Sequence, residues 1–223
     1  AYGDDAVARV AQALGEQATA QRFAQRAQSY QQLWDPNTRV MRGRDRLGRW
    51  REPFNPDTPT SPLNNPGDYT EANAWTFAFT TPHDAAGLAG LLGGEAALAQ
   101  RLDEFFATPE TAEKKFAGSY GNTIHEMTEA RDVRMGMYAH SNQPAHHIPW
   151  MYLYAGQPWK TQQHVREILA RLYVGSEIGQ GYPGDEDNGE TSAWYVLASL
   201  GLLEVGHGSV TILDVAGLER YEG

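Results

Sequence analysis

HIPWMYLYAGQPWKTQQHVREILARLYV, residues 147–174, reads as two helices with a break between them. The apolar, aromatic run from His147 to Ala155 closes at Gly156, the residue type that accepts the left-handed turn at a helix end. Pro158 follows where a first helical turn tolerates proline, because the missing N–H has no intrahelical partner there. The second helix then runs to about Val174. The same grammar extends outward. Thr191 to Leu200 is a helix closed by Gly201, Glu95 to Phe106 is another, and Asp84 caps one that runs to the Gly93–Gly94 break. A further helix is expected within Tyr69 to Thr80. Residues 4–34 are rich in Ala, Gln and Arg, lack proline, and place Phe23, Ala27, Tyr30 and Trp34 at helical spacing, which predicts one long helix ending at Asp35-Pro36-Asn37. From there to Pro66 six prolines and no sustained apolar period predict a long loop, unusual enough to suggest a functional wall. Residues 107–144 read as more loop than helix. GSVTILDV, residues 208–215, is the one convincing strand. Helix, loop, helix at intervals of roughly 20 to 30 residues suggests stacked helical hairpins in a single unit over residues 1–223.

Composition narrows the function. The chain has 223 residues, 41% of them hydrophobic, and a mean hydropathy of −0.56. No stretch approaches the roughly 20 apolar residues of a membrane span, and no signal peptide is visible. A formal charge of −10 argues against an extended nucleic-acid surface, which needs a basic stripe. With no cysteine there are no disulfides, thiolate metal sites or cysteine nucleophiles. Six Trp and eleven Tyr suit sugar binding and a helical core equally.

Residues 181–195, GYPGDEDNGETSAWY, set three acids in a glycine-bracketed turn. Asp185 and Asp187 lie two apart, so both can face one cavity while Glu186 points elsewhere. Mutual repulsion then raises the proton affinity of one of them, which helps a base. The plainer reading is a helix N-terminal cap. Glu71 stands before Ala72-Asn73-Ala74-Trp75, where an aromatic wall raises its affinity for a proton, and first-turn capping is again the alternative. Asn142 and Gln143 offer carbonyl oxygens to a hard cation. His146 and His147 are adjacent, point roughly 100° apart on a helix, and so seldom share a metal. No HExxH motif exists. Lys160, beside Trp159, can neutralise an anionic ligand, and Trp75, Trp150 and Trp194 taken singly read as core. His125-Glu126 and Glu129 to Asp132 read as a solvated loop, in which Arg131 or Arg134 can hold a phosphate bidentately.

Three stretches, YTEANAWTFAFTTPHD (69–84), HSNQPAHHIPWMYLYAGQPWKTQ (140–162) and GDEDNGETSAWYV (184–196), closely resemble the α-mannosidases of glycoside hydrolase family 92. The resemblance spans roughly residues 20–200. It implies an all-α fold, part of an (α/α)6 toroid of helical hairpins with a short β tail, without the N-terminal β-sandwich of the family. That missing part is expected as a possible separate partner chain. It also implies a Ca²⁺-dependent, inverting, exo-acting hydrolase of terminal α-mannose at a secreted, periplasmic or cell-surface location. On this reading Asp187, with Asp185 beside it, is the general base and Glu71 the acid or a sugar ligand. Gln143, Trp75, His146, His147, Trp159 and Lys160 bind substrate, and Asn142 and Gln143 hold the calcium. The family pattern Gly-Asn-Glu-Pro reads Ser141-Asn142-Gln143-Pro144 here, and a glutamine supplies no proton. The substitution resembles the branch that cleaves mannosyl-phospho-6-mannose, whose phosphate leaves without one. Two alternatives stay open: a neutral change in a calcium site of a glycan-cleaving mannosidase, and a non-catalytic carbohydrate-binding fragment.

Overall fold

The computed structural model describes residues 1–58, 68–173, 181–204 and 210–212. The predicted first helix is two. Helix α1 (Tyr2–Ala13) and helix α2 (Gln17–Ala27) are separated by Gly15, whose φ of +78° opens a left-handed turn. The Glu16 amide there reaches back to the Ala11 carbonyl at 2.8 Å, so the break is a satisfied helix end rather than a kink. The chain tightens after α2 into a 3-10 turn, Gln28–Leu33, which buries Tyr30. Ala8, Ala11, Ala20 and Ala27 are the buried residues of this hairpin, small enough for the two helices to approach closely.

Strands β1 (Trp34–Asp35) and β2 (Val40–Met41) follow as an antiparallel pair where continuous loop was expected. Their purpose is visible in Arg42. Its guanidinium donates to Asp35 at 2.8 Å, to the Arg51 carbonyl at 2.7 Å and to Glu52 at 2.7 Å, and it lies 4.0 Å over the Phe54 ring. Asp35 and Arg42 are both buried. Burial pushes the Asp35 carboxyl up, but hydrogen bonds from Arg42 and the Asn37 amide outweigh it and hold the group below the usual carboxylate range. One buried cation thus gathers a proline-rich segment that has no apolar period of its own.

Helix α3 is shorter than predicted, Ala74–Phe77, and is nucleated by the Asn73 side chain accepting from the Trp75 and Thr76 amides. Helices α4 (Ala85–Leu92) and α5 (Glu95–Ala107) match their expected caps: Asp84 accepts from the Gly87 amide at 2.9 Å, and Gly93 ends α4 at φ +109°. Helix α6 (His125–Val133) replaces the solvated loop expected there, with Glu126, Met127 and Ala130 buried. The predicted helix from His147 is a 3-10 helix over Ile148–Ala155, in which six of eight residues are buried. Pro149 removes one donor near its start, and packing sets the backbone rather than the i to i+4 register. Helices α7 (Pro158–Leu172) and α8 (Glu190–Ser199) follow the sequence expectation closely. Val174 lies outside the described residues. The expected tail strand appears as β4 (Val210–Ile212), paired with β3 (Leu202–Glu204).

The core lies where α4, α5, the 148–155 segment and α7 meet, and Leu88, Leu98, Leu102, Phe105, Trp150, Tyr152 and Ile168 are fully buried in it. His147 ties the 3-10 helix to the end of α3 by donating from Nε2 to the Phe79 carbonyl at 2.6 Å. Burial and the nearby His146 lower the His147 pKa to about 4, against the smaller opposing effect of that bond. The architecture is helical hairpins with two small two-stranded sheets, in keeping with part of an α/α toroid.

Two measurements follow from these contacts. Arg42→Ala strands the Asp35 carboxylate, and chemical denaturation is expected to show a loss of roughly 3–5 kcal/mol, the range for removing one partner of a buried pair. For His147 the unfolded imidazole titrates near ~6.5. Between that pH and about 4 the unfolded chain holds a proton that the folded chain does not, so stability falls as pH falls through this window. The limiting loss is on the order of 3 kcal/mol. Unfolding curves at pH 7.5 and pH 5 are expected to diverge less in His147→Gln than in the parent chain.

Candidate active site

The three acids of the 185–187 turn have three different surroundings. Glu186 is the helix cap: its carboxylate accepts from the Gly189 and Ser192 amides at the start of α8, and the Ser192 side chain, with these two amides, lowers its pKa. The capping alternative is therefore correct for Glu186, the residue that alternation turned away from the aspartates. Asp187 and Asn188 take left-handed φ of +52° and +59°, ahead of Gly189 at +101°. Such backbone costs a non-glycine residue roughly 1 kcal/mol or more and persists only where surrounding contacts enforce it. The exposed Asp187 carboxylate accepts a hydrogen bond from the Gln143 amide nitrogen. Asp185 is also exposed, and its charge is felt by His125.

The amide motif is seated against this turn through Gly184. A Cβ built there would lie 2.6 Å from the Ser141 Cβ and 2.7 Å from the Ser141 carbonyl oxygen, so only glycine lets the two segments meet. Asn142 is buried and its amide nitrogen donates to the Glu71 carbonyl at 3.3 Å, while the Glu71 amide donates to the Tyr120 hydroxyl at 3.0 Å. Glu71 itself has φ +59° and an exposed side chain. The three recognised motifs therefore converge: the Asn142 side chain on the Glu71 carbonyl, the Gln143 side chain on the Asp187 carboxylate, and Ser141 on Gly184. Gln143, His146, His147, Trp194 and Glu190 also line one cavity of about 530 Å³.

Beneath the turn lies a buried polar row. His140 accepts or donates at both ring nitrogens, to Tyr138 and Tyr173 hydroxyls, each at 2.6 Å. Tyr173 continues to the Thr191 carbonyl at 3.3 Å, and Thr191 Oγ1 donates to the Asp185 carbonyl at 3.2 Å. Burial, with His146 nearby, keeps His140 well below the ordinary histidine pKa. His146 donates from Nε2 to the His140 carbonyl at 2.9 Å and is lowered by burial, against the opposing effects of that bond and of Asp187. Both rings are neutral at physiological pH, which suits buried imidazoles packed against Trp194, His140 edge-on and His146 tilted.

Other predicted substrate contacts are not gathered here. The Lys160 ammonium is paired with the Asp103 carboxylate at 2.7 Å, where Tyr152 also donates. Trp159 is exposed beside it on the first turn of α7. Trp75 donates its indole N–H to Asp57 at 2.7 Å and its ring is covered by the Arg101 guanidinium at 4.1 Å, a packed role. Arg131 pairs with the adjacent Asp132. Sequence reasoning missed Glu190, whose carboxylate oxygen stands 3.7 Å from His146 Nδ1, and the positioning row of His140, Tyr173 and Thr191. Glu190 was legible only as one more residue of an acidic turn. It has a raised pKa, from burial and from the Asp187 charge.

No curated protein matches the chain. Residues 1–214 match the glycosyl hydrolase family 92 catalytic domain. Among solved structures, the family GH92 α-mannosidase BT3965 of Bacteroides thetaiotaomicron is 32% identical with a TM-score of 0.76, over 95% of this chain and 25% of that one. The same enzyme in complex with mannoimidazole is 33% identical with a TM-score of 0.79, over 95% of this chain and 26% of that one. The family GH92 inverting mannosidase BT2199 of the same organism is 40% identical with a TM-score of 0.71, over 92% and 26% respectively. The chain thus spans about a quarter of the length of the solved structures it matches. A family match over residues 1–214, nearly the whole sequence, shows that this chain belongs to glycoside hydrolase family 92.

Proposed function

We propose that this chain carries the water-activating side of an exo-acting, inverting α-mannosidase. The observation that supports it best is the contact between the Gln143 amide and the Asp187 carboxylate, made across the cavity edge by two motifs 44 residues apart. An inverting glycosidase needs a carboxylate that takes a proton from water as the water attacks the anomeric carbon opposite the leaving oxygen. Asp187 is that base. The amide of Gln143 fixes one carboxylate oxygen and leaves the other for water, and the strained backbone at Asp187 and Asn188 holds the group out from the helix start. His146 and His147, on the same cavity wall, orient sugar hydroxyls. Asp185 and Glu71 flank this centre, with Glu71 set by Tyr120 and Asn142.

Calcium fits the donor set in kind. The nitrogens of Asn142 and Gln143 donate to the Glu71 carbonyl and to Asp187, which turns both side-chain carbonyl oxygens free of those bonds. Oxygen donors of this type suit Ca²⁺, which takes 6–8 of them. Among the described residues no group of three or more His, Cys, Asp or Glu forms a metal cluster, so Asn142 and Gln143 would hold the ion together with sugar hydroxyls. When bound, calcium supplies positive charge and a clasp for adjacent mannose hydroxyls.

The leaving group defines two substrate classes. Gln143 cannot protonate a departing alcohol. That favours a mannosyl phosphodiester, whose phosphate departs as a stable anion. The pairing of Lys160 with Asp103 and of Arg131 with Asp132 favours instead a neutral glycan, since these cations are already neutralised.

Mannose release from an α-1,2-linked mannobiose and from mannosyl-phospho-6-mannose tests the proposal. Asp187→Asn is expected to lower kcat by at least about 100-fold on whichever substrate the parent chain cleaves, the usual scale for losing a general base. Asp185→Asn, which leaves the Gln143–Asp187 bond intact, is expected to cost less. Chelation should abolish release and added calcium restore it. Sugar binding that depends on calcium, with no turnover of either substrate, would instead establish a carbohydrate-binding fragment.

A further inference from the structure

One carboxyl group in the cavity remains unused by the reading above. Glu190 opens α8, and its side chain, 54% exposed, stands at the mouth of the cavity that Gln143, His146 and His147 line. Its Oε1 is 3.7 Å from His146 Nδ1. The other nitrogen of that ring donates to the His140 carbonyl, so Nδ1 of the neutral imidazole presents a lone pair. A lone pair facing a carboxylate oxygen repels it. Facing a carboxylic acid, it tolerates the group and orients its proton. The Asp187 charge on the turn acts in the same direction, and His147 on the cavity wall, its pKa lowered by burial, brings no opposing positive charge. Partial burial adds to the preference for the protonated form.

We propose that Glu190 is the general acid of this site, donating its proton to the glycosidic oxygen of a sugar leaving group while Asp187 deprotonates the attacking water. The proposal rests on the mannosidase reading and deepens it by assigning the substrate class. In the step, the bond from the anomeric carbon to the leaving oxygen breaks as that oxygen receives the Glu190 proton. The bond from the anomeric carbon to water oxygen forms as Asp187 takes the water proton. Glu190 ends as carboxylate, Asp187 as acid, and exchange of one proton with solvent resets both. Position 143, where the family pattern carries a carboxyl, is thereby freed to orient the base. A glycan with an alcohol leaving group is then the substrate, ahead of a phosphodiester.

The test compares Glu190→Gln with the parent full chain, in calcium, on three substrates: α-1,2-mannobiose, 2,4-dinitrophenyl α-mannoside and mannosyl-phospho-6-mannose. The last two need no proton on departure. The expected result is a loss of kcat/KM of about 100-fold or more on mannobiose, a change of less than about threefold on the dinitrophenyl glycoside, and loss of the alkaline limb of the pH profile. Glu190→Asp, which keeps the acid but withdraws it, should fall between the two on mannobiose. An unchanged unfolding midpoint separates these effects from misfolding. Equal losses on all substrates overturn the assignment, because a positioning or structural role would not track the leaving group. A parent chain that cleaves the phosphodiester and not mannobiose overturns it too, while leaving the mannosidase reading intact. Absence of mannose release from all three overturns both.

Discussion

A single missing methyl group determines how this site is assembled. Gly184 lies so close to Ser141 that a side chain on it would overlap backbone atoms, and backbone cannot move aside as the end of a flexible side chain can. That approach seats the acidic turn on the amide turn. Everything chemical depends on the register it sets, because Gln143 reaches Asp187 and Trp194 donates to the His146 carbonyl only when the segments touch. The constraint also explains the left-handed backbone at Asp187 and Asn188. A turn clamped at Gly184 and required to enter α8 at Glu190 has few residues in which to reverse direction, so strain is absorbed at its centre.

The site is stiffened from below by polar groups that water does not reach. Tyr138, His140, Tyr173 and Thr191 form one hydrogen-bonded row that ends on the carbonyl of Asp185. Burying such groups is tolerable only when they satisfy one another, and two bonds of 2.6 Å to the His140 ring show that they do. The cost appears as proton affinity. His140, His146 and His147 are all held neutral by burial, so the same packing that orients the acid turn makes the fold sensitive to acid. Rigidity of the site and a limited pH range of stability have one cause.

Local chemistry explains which parts of the molecule were legible in the sequence. Helices α4, α5, α7 and α8 carry their own start and stop signals, Asp84, Gly93, Gly94, Pro158 and Gly201, and they appear where those signals place them. Helix α6 was read as loop because its charged residues, His125 to Asp132, outnumber its few apolar anchors, Met127, Ala130 and Val133, whose burial depends on distant partners. The β1–β2 pair was hidden for a similar reason: Arg42 organises it through Asp35, Glu52 and the Arg51 carbonyl, and no periodicity announces a buried cation. Within the site, the resemblance of three stretches to one family pointed to Asp187, Gln143, His146 and His147 together. It could not separate Lys160 or Trp75 from them, since pairing with Asp103 and stacking under Arg101 are tertiary facts.

Three consecutive acids would be an electrostatic liability if all were exposed to one another. Here the fold gives each a different counterweight. Glu186 is capped by two helix-start amides, Asp187 is held by an amide nitrogen, and the charge of Asp185 is felt by the ring of His125, which Glu126 and Glu129 contact. A fourth acid, Glu190, has no such donor among the described residues and stands 3.7 Å from Nδ1 of His146 instead. Hydrogen bonds from Ser192 and Gly189 lower the proton affinity of Glu186, while burial and the Asp187 charge raise that of Glu190. The turn therefore sorts chemically identical side chains by what faces them. Such sorting is what an inverting hydrolysis requires, since it needs one carboxyl group without its proton and another group that still has one to give.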